Sequence, residues 1–309
     1  MSKENTAVTK KKIKRCKEDV VFDAACFIIL TLVLFVVAYP LYWVIISSIS
    51  APSAVSSGKV LLHPIGFTLK GYAEVFKNDQ VMRGFLNSLI ITFCGVMVNL
   101  IVTLPTSYAL SRSNFSGKKP ITIFYLITMF FGGGLIPTYL VIQRLQMLNT
   151  IWALILPGCL SVYNMIVART FFKSNISEEL YEAAEIDGCT QARFFFQIAL
   201  PLSKAIIAIL VLYYGVGHWN SYFSALVYIS DKGKYPLQLV LRNILITNQT
   251  ALSQTATTAA ARAALQEKQQ LIDVMKYSLI IISSIPVLVM YPLVQKHFVK
   301  GVMIGSMKG

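Results

Sequence analysis

The feature that most constrains this chain is a series of six apolar runs, each about as long as a membrane-crossing helix. A helix of about 20 apolar residues spans the hydrocarbon core of a bilayer. Only 14% of the 309 residues are charged, whereas soluble domains contain about 25%. We therefore predict an all-α polytopic membrane protein with six transmembrane helices, at residues 21–48, 84–110, 121–142, 151–172, 202–229 and 274–297.

Two of the predicted spans contain glycines that bear on the regularity of their helices. Gly132, Gly133 and Gly134 lie in the third span, and Gly215 and Gly217 lie in the fifth. A break at membrane depth is tolerated where neighbouring protein or a water-filled cavity satisfies the backbone, and small residues also let helices pack closely. We expect the fifth span to break at its two glycines and the triple glycine to serve helix packing.

The distribution of lysine and arginine predicts an orientation, because these residues gather on the cytoplasmic side of a membrane. Basic residues occur in the arm at residues 1–19, in the loop after the second span, and in and beside the tail at residues 301–309. With six spans in the membrane domain, residues 20–300, these segments share one side, so both termini are predicted to be cytoplasmic. The loop at residues 175–201 is then cytoplasmic, and the loop at residues 230–273 is outside.

The net charge of +14 calls for a comparison with nucleic-acid-binding proteins, which present basic patches. No basic stripe with interleaved aromatic residues occurs outside the apolar runs, so no nucleic-acid partner is predicted. The five cysteines have neither metal-ligand nor redox spacing. The basic N-terminus leads into an apolar run that is too long for a signal peptide, and we interpret that run as a retained first span.

The loop at residues 175–201 has the pattern of two short helices placed between apolar runs. Ser177 is a good N-cap, and Gly188 can end the first helix in a left-handed conformation. Thr190 can cap a second helix, which we expect Pro201 to stop. Helices this short are marginal alone in water. We therefore expect a cytosolic protein partner for the first helix, and the membrane or the protein's own bundle for the second.

The first of these helices has a predicted contact face made of small residues. Leu180, Ala183 and Ala184 lie close together on one face at helical spacing. Two alanines make that face flat, which allows another surface to approach closely. The helix is acidic, whereas helices that lie on lipid prefer basic polar faces, and this again favours a protein partner.

The spacing of this insert resembles the EAA loop of ATP-binding-cassette (ABC) importer permeases. Glu182, Ala183 and Ala184 are followed after three residues by Gly188, and after nine more by Ile198, Leu200 and Pro201. The segments GGGLIPTYLVIQRLQMLNTIWALILPG and YPLVQKHFVKGVMIGSMKG resemble carbohydrate permeases of the maltose-transporter type, and the chain is similar to their YtcP/LplC-like group. The resemblance covers nearly the whole chain and implies the type I ABC importer permease fold.

The resemblance implies a transport subunit that is not an enzyme, in a prokaryotic cell membrane. A second, homologous permease would share the translocation path, a cytosolic ABC ATPase dimer would grip the EAA loops, and an extracytoplasmic binding protein would deliver an oligosaccharide. It assigns ATPase coupling to the seven motif residues, to which we add Asp187. It also implies that the tail reaches between the two ATPases, through Gly305, Ser306, Met307, Lys308 and Gly309.

The chain itself lacks the G-x-x-x-x-G-K-[ST] phosphate loop. ATP hydrolysis must therefore come from another chain if transport is driven by ATP. No cofactor and no metal ion are predicted.

A candidate substrate path lies in the outer half of the fifth span. Sugars are bound by hydrogen-bonding amides and aromatic faces, and this stretch offers Tyr213, Trp219, Asn220 and Tyr222. Trp219 and Tyr222 could instead belong to the aromatic belt at the membrane interface. By resemblance, the loop at residues 230–273 projects towards the binding protein, and the alternative is a solvated flexible loop.

Three other classes of function remain as alternatives. The first is a permease for another solute that a binding protein delivers. The second is a membrane-embedded enzyme, which would need convergent titratable groups, whereas the histidines His63, His218 and His297 are far apart in sequence. The third is a structural membrane anchor, which would not account for the patterned insert at residues 175–201. The near absence of carboxylates inside the spans also disfavours a proton-coupled carrier acting alone.

Overall fold

The computed structural model describes residues 17–251 and 259–305, and within these ranges it contains helices and no strands. The predicted all-α class is therefore confirmed. The first eight helices are α1 (Lys17–Ser48), α2 (Pro52–Ser56), α3 (Lys70–Lys77), α4 (Asp79–Ser111), α5 (Lys118–Phe130), α6 (Leu135–Arg144), α7 (Trp152–Ile155) and α8 (Val162–Asn175). The other seven are α9 (Glu178–Ile186), α10 (Gln191–Phe194), α11 (Leu200–Leu202), α12 (Lys204–Trp219), α13 (Phe223–Tyr228), α14 (Leu237–Ala251) and α15 (Ala259–Gly305).

Three helical segments are long and apolar enough to cross a bilayer. They are α1, α4 and the part of α15 at Gln269–Pro292. Three bent pairs of helical segments are together also long and apolar enough to cross a bilayer: α5 with α6, the segment Trp152–Gly158 with α8, and the segment Gln191–Leu202 with α12. If each pair counts as one span, the described part of the chain has up to six, which agrees with the predicted fold class.

The third apolar run is bent rather than straight. The axes of α5 and α6 meet at 113°, and Gly134 adopts φ +88°, a conformation that side-chain-bearing residues rarely adopt. A Cβ added at Gly132 would meet nothing within 4 Å, and at Gly133 or Gly134 it would only approach Pro137. The prediction that the triple glycine serves helix packing is wrong, because these glycines turn the chain instead.

The fifth apolar run is helical through both of its glycines, so the predicted break at these residues is wrong. Helix α12 continues to Trp219, and the irregular residues are 220–222, before α13. A Cβ at Gly215 would overlap the terminal methyl of Met290 on α15. This glycine therefore allows two helices to pack closely, and the packing offsets the weak helix propensity of glycine.

Helix α4 joins several elements through a row of buried polar residues. Asn99, Thr103 and Ser107 lie four residues apart and are fully buried. The Asn99 amide donates to the carbonyl of Gly158 (2.8 Å), Thr103 Oγ1 shares a hydrogen bond with the hydroxyl of Tyr214 (2.7 Å), and Ser107 Oγ donates to a carbonyl of α8 (3.0 Å). Each bond reaches a different part of the chain, so α4 connects the broken fourth span to α12.

The predicted outer loop, residues 230–273, is largely helical. Helix α14 and the first 15 residues of α15 lie within it, and residues 252–258 are outside the described ranges. Leu237 is fully buried, and its N–H donates to Ser88 Oγ on α4 (2.8 Å). The alternative of a solvated flexible loop is therefore wrong for the start of α14, which packs on the second span.

Candidate functional site

The insert after the fourth span begins with a capped helix, α9, as its sequence predicts. Ser177 Oγ accepts a hydrogen bond from the N–H of Leu180 (3.3 Å). Glu178 and Glu179 occupy the first turn, where the helix dipole favours negative charge. The cap satisfies one of the N–H groups that a helix leaves unpaired at its start, so the predicted beginning of the helix is confirmed.

Helix α9 ends at a glycine turn. Gly188 has φ +74°, its N–H donates to the carbonyl of Glu185 (3.0 Å), and the N–H of Cys189 donates to the carbonyl of Ala184 (2.9 Å). This pair of bonds is the Schellman motif, which favours glycine because the turn residue is left-handed. The predicted end of the helix is confirmed, and Asp187 is the exposed residue immediately before the turn.

The second half of the insert is less regular than the single short helix that its sequence predicts. Thr190 Oγ1 caps α10 by accepting from the N–H of Arg193 (3.3 Å). The chain then continues through a π-helical turn, Phe195–Ala199, into α11. Pro201 lies in the first turn of α11, where a missing N–H is tolerated. The helical segment ends at Leu202, one residue after Pro201, and the chain bends at Ser203, so that α12 runs at 80° to the preceding segment. The predicted end is therefore confirmed to within two residues.

One face of α9 packs onto the rest of the chain. Tyr181 and Ala184 are buried on this face, and the Tyr181 ring meets Phe194 edge-on, with centroids 5.2 Å apart. Because Tyr181 buries a large ring, Ala184 is turned inward with it. The predicted exposed face of Leu180, Ala183 and Ala184 is therefore wrong at Ala184, whose small side chain is part of the internal contact.

The opposite face of α9 is open. Leu180, Glu182 and Ala183 are exposed, and Ile186 is 87% exposed. The face therefore combines an apolar side chain with carboxylates on a short, capped helix. Such a surface can bind a partner that offers an apolar hollow beside polar or basic groups.

The last three motif residues lie beside α9 rather than on its open face. Ile198 and Leu200 are half-buried and pack against the core that also contains Tyr181. Pro201 is exposed. The structure thus divides the motif into exposed residues that can meet a partner and apolar residues that hold the insert on the bundle.

The end of the second span is bound to α9 through an arginine that follows α4. The guanidinium of Arg112 donates to Glu178 Oε2 (2.7 Å) and lies over the Tyr181 ring, 4.1 Å from its centroid. The N–H of Ser113 donates to Glu178 Oε1 (3.2 Å). Both oxygens of one carboxylate on α9 therefore contact the chain that leaves α4.

Three of the four residues predicted for the substrate path are exposed on α12 or just after it. Tyr213, Gly217 and Asn220 lie at positions i, i+4 and i+7, and all three are exposed. Tyr222 is exposed just beyond the helix. A Cβ at Gly217 would meet nothing within 4 Å, so this aromatic and amide face borders open space.

Trp219, the fourth predicted path residue, has a different position. It is 2% exposed, its ring Nε1–H donates to the carbonyl of Ser283 (2.8 Å), and it packs edge-on against Phe85. A ring that is buried with its donor occupied has no surface to offer a sugar or the membrane interface. The prediction that Trp219 lines the substrate path is therefore wrong. This residue lies in the core, where it joins α12 to α15.

The comparison with known proteins decides the family. The chain is 35% identical over 288 residues to the polygalacturonan/rhamnogalacturonan transport system permease protein YtcP of Bacillus subtilis, covering 93% of this chain and 98% of that protein. The chain belongs to the ABC importer permease family. It is also 38% identical over 289 residues to Protein LplC of the same bacterium, covering 94% of this chain and 95% of the relative. No family model matches the chain.

A solved structure supports the same placement of this permease. A chain of a bacterial ABC transporter involved in the import of the acidic polysaccharide alginate matches with a TM-score of 0.83 and 27% identity. The match covers 93% of this permease and 99% of that chain. The relatives are permease subunits of transport systems, so the predicted class of transport subunit is confirmed.

Sequence reasoning missed several residues of the permease that hold the site together. In the sequence, Arg112 indicates only a basic loop, and its partner Glu178 lies 66 positions away. Tyr214 is buried and its hydroxyl accepts from the N–H of Ser161 (3.2 Å). No local pattern indicates these contacts. Ile186 could have been found, because it is an apolar residue among the acidic residues of a segment predicted to be cytoplasmic.

The predicted C-terminal contact residues mostly lie beyond the described part of the permease. Gly305 is the last residue of α15, and Ser306, Met307, Lys308 and Gly309 are outside the described ranges. Among the described residues, no group of three or more histidine, cysteine, aspartate and glutamate side chains could hold a metal ion.

Proposed function

We propose that this permease is one of two membrane subunits of an ATP-driven importer for an oligosaccharide. A binding protein delivers the sugar outside the cell, and two cytosolic ATPases drive the transport through α9. The names of YtcP and of the alginate importer both specify saccharide chains, which supports a substrate of that class.

The observation that carries this proposal is the form of α9. A helix of nine residues is too short to be stable alone, yet this one is capped at both ends and packs through Tyr181. Its other face leaves Ile186 and Glu182 exposed. The chain therefore presents α9 as a preformed helix with one exposed face. A partner can bind this helix without ordering it first.

The motion follows from this attachment. When the ATPases close on nucleotide, α9 of this permease and the corresponding helix of the second permease move together. Each helix moves the spans to which it is fixed. The path then changes from inward-facing to outward-facing by rigid-body alternating access. In this orientation both termini and residues 175–201 are cytoplasmic, the start of α14 faces outward towards the binding protein, and residues 305–309 reach between the ATPases.

The exposed face of α12 is the proposed contribution of this subunit to the path. Tyr213 and Tyr222 provide aromatic surfaces, and the Asn220 amide provides both a donor and acceptors. A polar amide at membrane depth is costly against lipid, so this face is expected to border the second permease and the passage between them.

Co-purification followed by ATPase measurement tests the proposal. The tagged permease, extracted in detergent from its own host, should bring a second permease and an ATPase with it. After reconstitution with the binding protein, oligosaccharides of galacturonate or of neutral sugars should raise ATP hydrolysis, whereas monosaccharides should have little effect. A permease that purifies alone, or a complex whose ATPase responds only to a non-sugar solute, would contradict the proposal.

A further inference from the structure

We propose that Arg112 fixes α9 to the end of the second span, α4, so that a displacement of α9 also moves α4. This makes Arg112 a positioning residue for transport. The inference rests on the proposed function, because it concerns how force from the ATPase enters the bundle.

The first argument is the number of elements that meet at this one side chain. Arg112 is the residue that ends α4, and its guanidinium pairs with Glu178 at the start of α9. The same group lies within 6.0 Å of the ring centroids of Tyr181 on α9, Phe194 on α10 and Tyr108 on α4. Three helices therefore share one cation.

The second argument is burial. The Arg112 side chain is only 12% exposed, although the Glu178 side chain is 44% exposed. Exposed ion pairs contribute little, because water and salt screen them. Here the guanidinium is shielded by aromatic rings, and cation–π contacts strengthen as the cation is desolvated. The contact is thus more rigid than an ordinary surface ion pair.

The third argument is that the backbone leaving α4 is fixed at the same place. Lys118 Nζ, from the start of α5, donates to the carbonyls of Arg112 (3.3 Å) and Ser113 (3.0 Å). Arg169 Nε, from α8, donates to the carbonyl of Leu110 (3.0 Å). Cations are favourable at these carbonyls because the C-terminal end of a helix is negative. The end of α4 cannot swing freely, so a pull on Glu178 acts on the span itself.

The chemistry requires arginine and not merely a positive charge. A guanidinium is planar, so it can stack on Tyr181 and donate to a carboxylate in its own plane at the same time. The ammonium of lysine is a point charge and cannot make both contacts with that geometry. Arg112→Lys therefore separates the charge from the planar contact.

The measurement is the number of sugar molecules taken up per ATP hydrolysed by the complete complex in proteoliposomes. Arg112→Lys and Glu178→Gln should each lower this ratio by roughly three- to ten-fold, the range expected for loss of one hydrogen bond of typical net strength. ATP hydrolysis and the amount of bound ATPase should change little. Arg144→Gln, which removes an exposed arginine charge on α6, is the matched control and should keep the wild-type ratio.

The outcomes separate this inference from the proposed function. If the wild-type complex takes up no sugar, the proposed function fails. If the wild type transports and both variants keep its ratio of sugar to ATP, the inference alone is overturned. A purely structural role would lower the yield and thermal stability of the complex while leaving the ratio unchanged, and that result also overturns it. Glu178→Gln decides the matter if Arg112 variants do not accumulate in the membrane.

Discussion

Replacing Gly188 tests whether the turn after α9 is needed for its backbone conformation. Gly188 has φ +74°, and a Cβ built on it would meet nothing within 4 Å. A substitution therefore causes no steric clash within the chain, and its cost is conformational. The left-handed region costs an ordinary residue about 1–2 kcal/mol, which shifts the equilibrium between the native turn and its alternatives by about 5- to 30-fold.

This reasoning predicts an order among four variants. Gly188→Asn should be the mildest, because asparagine adopts the left-handed region more readily than other side chains. Gly188→Ala should lower the rate of coupled transport by up to about 5- to 30-fold. Gly188→Val should lower this rate further. Gly188→Asp should remove most uptake, because it adds a negative charge at the negative end of α9 while keeping the shape of asparagine.

The assay is uptake into membrane vesicles, with the amounts of inserted permease and of co-purified ATPase measured in the same samples. All four variants should insert as the wild type does. The reasoning is refuted if Gly188→Ala transports as well as the wild type. The reasoning is also refuted if Gly188→Asn is as damaging as Gly188→Val. The presence of a side chain at this position would then matter more than the φ angle of its backbone.

Three further predictions concern stability and the path. Tyr214→Phe removes a buried hydroxyl that joins α12 to α4 and α8. It should lower the stability by about 1–3 kcal/mol, measured by thermal unfolding in detergent, whereas Tyr213→Phe at the exposed neighbour should change the stability little. Gly95→Ala should destabilise by about 1–3 kcal/mol, because its methyl would enter a histidine ring on α12, whereas Gly217→Ala should be neutral or stabilising by the same measurement. Asn220→Ala should raise the sugar concentration needed for half-maximal uptake without changing the amount of inserted protein. If the concentration dependence of uptake is unchanged, Asn220 does not contact the sugar.

Local chemistry made α9 predictable. Its ends depend on Ser177 and Gly188, and each acts within a few residues through backbone hydrogen bonds. The apolar runs were predictable for a similar reason, because their length is set by the membrane rather than by tertiary contacts.

The errors arose where packing between distant segments decides the outcome. Helix α12 continues through Gly215 because the contact with Met290 outweighs a weak local preference. Trp219 is buried because α15 provides a carbonyl for its N–H, and nothing near Trp219 in sequence indicates this. The pairing of Arg112 with Glu178 likewise depends on the folded bundle and not on a motif.

The account depends most on the contact between α9 and a cytosolic ATPase, and cross-linking from Ile186 tests it most directly. In a chain whose five cysteines are replaced, Ile186→Cys would be treated with a short bifunctional reagent in vesicles that hold the complete complex. We predict an adduct with the ATPase subunit whose yield changes with nucleotide, and no such adduct from Ile136→Cys on the exposed surface of α6. Labelling of Ile186→Cys by a membrane-impermeant reagent added outside intact cells, or no ATPase adduct in any nucleotide state, would contradict the account.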